Sequence, residues 1–149
     1  MLSTDAITPV HEGDLILRLL LAVGAGAGVG WERESGHKPA GLRTHMLVSL
    51  GAAMFVLAGL QMGLNSTNFD VAARIIQGIV TGIGFLGAGE IFSKRHSDSG
   101  EIKIRGLTSA AAIWVSSSLG IAAACGFWVL CLAGTFLCII ILWGVKKIE

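Results

Sequence analysis

Residues 71–92 read VAARIIQGIVTGIGFLGAGEIF, and over this stretch only Arg74 and Glu90 carry charge. A helix needs about 20 predominantly apolar residues to cross the hydrocarbon layer of a bilayer. This run is long enough. Moving outward, four more apolar runs occupy residues 15–31, 44–64, 107–124 and 127–145. The runs at 44–64 and 127–145 meet the length requirement, whereas 15–31 and 107–124 lie near its lower limit. No interval between them is long enough for a soluble domain. The expected fold class is an all-α, polytopic membrane protein: a single transmembrane domain over 1–149 with five transmembrane helices and no soluble C-terminal domain.

Composition points the same way. Of 149 residues, 53% are hydrophobic and 14% charged, against about 25% charged in a typical soluble domain. The net charge is +1. The basic residues cluster between apolar runs instead of forming one face, so no nucleic-acid partner is expected. The first thirteen residues hold no Lys or Arg but do hold Asp5 and Glu12. They lack the basic start of a cleaved secretory signal, so the first helix is expected to be retained. Cys125, Cys131 and Cys138 form no CxxC pair and read as apolar filler.

Orientation follows from the cations. The 32–43 connection carries Arg33, Lys38 and Arg43, the 93–106 connection carries Lys94, Arg95, Lys103 and Arg105, and Lys146 and Lys147 follow the last run. The N-terminus, the 61–70 connection and the turn near Ala124 carry none. Five crossings put every cation-bearing segment on one side. The positive-inside rule then predicts the N-terminus out and the C-terminus in.

Two charged pairs sit where a membrane makes charge costly. Asp14 precedes Arg18 by four residues, and Asp70 precedes Arg74 by four. That spacing puts each pair on one helix face. At about 100° per residue, Asp14, Arg18, Ala22, Ala25 and Glu32 share a stripe, as do Asp70, Arg74, Gln77, Gly78 and Thr81. Facing inward, the stripes would make a polar seam; facing outward, each Arg would snorkel to headgroups and anchor its helix. Repetition of the pattern suggests a parallel internal repeat. Glu90 falls nearly opposite Arg74 and reads as an interfacial carboxylate.

Gly24, Gly28, Gly78, Gly82, Gly84, Gly87 and Gly89 are the expected helix-packing positions, since small residues let helices approach closely in lipid. Ser109, Ala112, Ser116, Gly120 and Ala123 form a small-residue stripe on the fourth helix. The first, third and fourth helices are therefore expected inside and the bulky fifth at the lipid-facing edge. Arg43, His45 and Arg105 are assigned to the cytoplasmic loops. His37, His45, Glu32 and Glu34 match no metal-binding spacing, and residues 84–89 lack the Lys-Ser/Thr of a phosphate-binding loop. Neither a metal, a cofactor nor catalysis is expected.

Residues 40–48 (AGLRTHMLV), 82–89 (GIGFLGAG) and 105–111 (RGLTSAA), with Trp31-Glu32-Arg33-Glu34 and the Asp70/Arg74 pair, resemble the signatures of the MgtC/SapB family of bacterial inner-membrane proteins. The resemblance covers about residues 15–145. It implies a multi-pass inner-membrane protein linked to growth at low magnesium and, in intracellular pathogens, to survival in macrophages. Some members are thought to act on other membrane machinery, such as the ATP synthase. Many continue into a soluble C-terminal domain, whereas this sequence stops at Glu149, and Glu90 stands where the family usually has an apolar or small residue. The expected function is magnesium or cation homeostasis, or stress adaptation, through contact with other membrane proteins or within a homo-oligomer, a dimer in the first instance. The rival expectation is an ion or proton transporter using the Arg18/Arg74 seam.

Overall fold

The computed structural model describes residues 11–62, 68–95 and 102–144. The first ten residues, residues 63–67 of the 61–70 connection, and Lys146 and Lys147 lie outside them. In chain order the elements are α1 (Glu12–Ser35), α2 (Leu42–Met62), α3 (Asn68–Glu90), β1 (Phe92–Arg95), β2 (Ile102–Arg105), α4 (Leu107–Ala124) and α5 (Trp128–Gly144). The helix count matches the reading of the sequence. Four of the helices, α1 to α4, are long and apolar enough to cross a membrane, and α5 is a shorter apolar helix.

Three boundaries differ from expectation. α1 runs on to Ser35, so Glu32 and Arg33 belong to the helix and not to the loop after it. Its charges suit its ends: Glu12 and Asp14 stand in the first turn and Arg33 in the last, as the helix dipole favours. α2 begins at Leu42, where Glu34 Oε2 accepts the Leu42 N–H at 3.0 Å. That carboxylate satisfies one of the donors a helix start leaves open. Third, the connection before α4 folds into an antiparallel hairpin, with Phe92 opposite Arg105 and Lys94 opposite Lys103. Gly106 joins it to α4 at φ +94°, and a Cβ there would run into the Glu90 carbonyl. Only glycine suits that position.

The interior is built by α1, α2 and α4. Ala22, Ala25 and Val29 of α1 meet Ala53, Val56 and Leu57 of α2 and Ala112, Leu119 and Ala123 of α4 in one buried cluster. The expected stripe on α4 (Ser109, Ala112, Ser116, Gly120, Ala123) is buried throughout. Close approach is secured by Gly26, whose Cβ would lie 2.5 Å from the His45 carbonyl oxygen, by Gly30, 2.7 Å from Leu42 Cα, and by Gly120 against the Ser49 backbone.

The interior place expected for the third helix is therefore corrected. None of the most apolar eighteen residues of α3 is buried, and it packs on α2 and α4 at the side of the bundle. A Cβ on Gly78, Gly82, Gly84 or Gly89 would meet nothing, and the same holds for Gly24. Gly28 faces Thr135 and Ile139 of α5, and Gly87 faces Ala110 of α4. Of the seven expected packing glycines, these last two make helix contacts. Between α2 and α3 opens an apolar cleft of about 820 Å³. α5 buries Cys131, Cys138 and Leu142 and exposes most of its large side chains, as expected of an edge helix.

Candidate functional site

Two charged nodes lie along α1, one near each end. At the first, Arg18 is 9% exposed. It donates from Nη2 and Nε to Asp14 Oδ2 at 2.9 and 3.1 Å, so the i,i+4 pair expected of these residues forms. Its third bond reaches across the fold, with Nη1 donating to the Ala124 carbonyl at 2.7 Å.

That carbonyl is the one the end of α4 would otherwise leave open. The Gly126 N–H (φ +75°) bonds the Ala123 carbonyl and the Phe127 N–H bonds the Ala122 carbonyl, the reciprocal pattern of a glycine-terminated helix. Arg18 completes the set. A Cβ on Gly126 would lie 3.2 Å from the guanidinium, so the turn is shaped to the arginine as well.

Arg74 has no comparable place. It is exposed on α3, as are Asp70, Gln77 and Thr81, whose hydroxyl returns to the Gln77 carbonyl at 2.9 Å. The inward-facing seam of Arg18 and Arg74 is not formed, because α2 and α4, not α1, receive α3. The expected repeat of the Asp/Arg pair is thus one of sequence and not of environment.

The second node gathers at the opposite end of the bundle, where α1 finishes and α2 and α4 begin. Arg33 is 3% exposed and donates from Nη2 to Ser109 Oγ at 2.8 Å. Its Nη1 lies 3.7 Å from Glu32 Oε2. His45 is fully buried, with Nδ1 and Ser116 Oγ 2.9 Å apart. One turn on, the Ser49 hydroxyl donates to the Ala22 carbonyl at 2.7 Å. Arginine, histidine and three serines thus tie α1, α2 and α4 together.

This node is incompletely satisfied. Among the described residues the buried side-chain polar atoms without a hydrogen-bond partner are Glu32 Oε2, Arg33 Nε, His45 Nε2 and Glu90 Oε1. All four belong to residues at the same end of the helices. A buried polar group left unmet costs about 1–3 kcal/mol, and a bound water or ion is one partner that such groups take.

His45 was expected in a loop and is instead the largest fully buried side chain. Arg43, beside it on α2, and Arg105, at the end of β2, are exposed. Arg33 was read only as a loop cation. The signal that marks it is the α1 period, since Ala22, Ala25, Val29 and Arg33 recur at buried positions three or four residues apart. His37 is exposed at φ 51° and takes no part in the node. Among the described residues no three His, Cys, Asp or Glu side chains converge as metal ligands.

A family model described as MgtC family matches residues 19–149. Protein SrpB of Synechococcus elongatus is 41% identical over 145 residues, covering 93% of this chain and 80% of its own. "Putative magnesium transporter YhiD" of Escherichia coli is 35% identical over 134 residues, 87% of this chain and 59% of its own. Protein MgtC of Salmonella typhimurium is 41% identical over 122 residues, 82% of this chain and 48% of its own. The chain thus spans about half to three-fifths of the length of the last two. No solved structure gives a significant match.

Proposed function

The chain belongs to the MgtC family, and on that premise we propose that it works in magnesium homeostasis by lateral contact with another membrane protein across the open face of α3. In this reading it is a bacterial inner-membrane protein that crosses the bilayer five times, with the N-terminus outside and the Arg33 node toward the cytoplasm. A second copy of the chain is the other partner the same face would take. The magnesium element draws on the name carried by the YhiD relative.

The observation behind this proposal is α3 itself. It is apolar enough to cross a membrane, none of its most apolar eighteen residues is buried, and its Gly78, Gly82 and Gly84 leave room where a partner backbone would come close. Small residues on an open face suit helix–helix association in lipid. By contrast α1, α2 and α4 are closed on each other by the Arg18 and Arg33 nodes, which is the architecture of a scaffold.

The test is to replace Gly78 and Gly82 together by Leu. The variant should keep its thermal unfolding temperature and lose growth support at low magnesium, together with cross-linking through a cysteine placed on α3. Unchanged growth with undiminished expression would sink the proposal. The unmet polar atoms of Glu32, Arg33 and His45 favour the rival reading, ion or proton passage. Magnesium flux in proteoliposomes that falls with His45→Gln or Glu32→Gln while folding is intact would support it.

A further inference from the structure

α2 and α4 begin at the same end of the bundle and in the same way, with Gly41-Leu42 and Gly106-Leu107. The first backbone N–H groups of a helix have no partner within it. At α2 the Glu34 carboxylate supplies one, accepting the Leu42 N–H at 3.0 Å. At α4 nothing equivalent stands: the first turn holds no acid, and Gly106 makes no side-chain capping bond. Leu107 is 59% exposed and Thr108 beside it is exposed as well, so this turn is open to its surroundings.

The charges around the turn have the sign that the turn itself carries. A helix N-terminus is equivalent to about half a positive charge. Arg33, only 3% exposed, lies against it, donating from Nη2 to the hydroxyl of Ser109, the third residue of α4, at 2.8 Å. Its Nε has no hydrogen-bond partner. Glu32 stands 3.7 Å from its Nη1, beyond hydrogen-bonding reach. The two strands that lead into α4 read FSKR and IKIR, with four cations and no acid. Glu90 abuts Gly106 through its backbone, but its Oε1 is buried without a partner and caps nothing.

From this we infer that the first turn of α4 is a binding site for a phosphate oxyanion. Helix N-termini receive phosphate through N–H groups that point at the ligand along the dipole. Here the donors are the Leu107 and Thr108 amides and the Thr108 hydroxyl. Arg105, exposed one residue before Gly106, is the charged partner. A guanidinium can hold phosphate by two parallel bonds and leave a further oxygen for the amides. Arg33 does not touch the ligand; buried behind the turn, it adds to the positive potential that an anion relieves. The Glu34 carboxylate at α2 marks the charge that a helix start takes in this fold. A phospholipid headgroup and free phosphate both offer that chemistry.

The inference makes no use of α3, and its test reads the amides of α4, so it and the proposed partner contact fail separately. The experiment is a titration of the isotope-labelled full chain in zwitterionic detergent, following the amide resonances of Leu107, Thr108 and Ser109. Inorganic phosphate is compared with chloride at equal ionic strength, and phosphatidylglycerol with phosphatidylcholine in the micelle. A saturable shift of these amides is expected with a phosphate probe and not with chloride or phosphatidylcholine. Arg105→Gln should weaken half-saturation about tenfold, the scale of a hydrogen bond to a charged group. Thr108→Asp sets a carboxylate in the first turn, so it should abolish the shift and raise the unfolding temperature.

A response to phosphatidylglycerol alone assigns the oxyanion to a lipid, and a response to inorganic phosphate assigns it to the soluble ion. Equal shifts with chloride, no shift with either phosphate probe, or a response unaltered in both variants would overturn the inference.

Discussion

Two arginines that look equivalent in the sequence have unequal structural weight. Arg18 makes three hydrogen bonds and closes the end of α4, whereas Arg74 is exposed on α3. Arg18→Gln should therefore lower unfolding stability by roughly 2–3 kcal/mol, the scale of hydrogen bonds to charged groups. Arg74→Gln should change it by less than about 0.5 kcal/mol. Chemical or thermal unfolding in a fixed detergent separates them. At the other node, Ser109→Ala removes a partner from buried Arg33, and a loss of about 1–3 kcal/mol is expected by the same measurement. Ser49→Ala, which removes one neutral bond, should cost about 0.6 kcal/mol, the average for hydrogen bonds in a membrane protein. The Asp14–Arg18 pair was legible because both residues sit on one helix at a known spacing. The bond to Ala124 was not, because nothing local records a partner on a different helix. Arg33 was missed for a related reason: dense charge after an apolar run reads as the end of a helix, and here the helix continues through it.

Among the elements, glycines give the sharpest contrast. Gly26 and Gly30 lie against the α2 backbone, so Gly26→Leu or Gly30→Leu should prevent assembly of the native bundle, read as loss of a folded monodisperse peak in size-exclusion chromatography. Gly82→Ala has free space around it, and helical glycine costs about 0.5–1 kcal/mol relative to alanine. That substitution should leave stability unchanged or raise it by up to that amount. The number of helices was legible from apolar run length, and the α4 stripe from its period. The standing of α3 was not, since a glycine-rich face looks alike whether it packs within the chain or against a neighbour. The hairpin was hidden too: a cation-rich connection carries no strand periodicity strong enough to separate it from a loop.

For the molecule as a whole, packing is uneven. α1, α2 and α4 share the buried cluster and both charged nodes, while α3 adjoins them beside an apolar cleft. Local opening follows contact density, so backbone amides of α3 should exchange with deuterium sooner than those of α1 or α4 in nanodiscs. Uniform protection across the helices would contradict this picture. The membrane class of the protein was legible from composition alone, because 53% hydrophobic residues exceed what a soluble core of this size can hide. Which helices become the centre was decided by pairwise fit, and that lies beyond any one-dimensional pattern.

The reach of Arg18 also bears on how the chain is made. Its acceptor lies 106 residues downstream, so at a synthesis rate of about 5–20 residues per second the first helix waits roughly five to twenty seconds for the carbonyl that receives it. During that interval the guanidinium has Asp14 beside it and no α4 terminus to hold. Nascent chains halted before Ala124 should therefore remain engaged with the insertion machinery, and release should coincide with emergence of the α4–α5 turn.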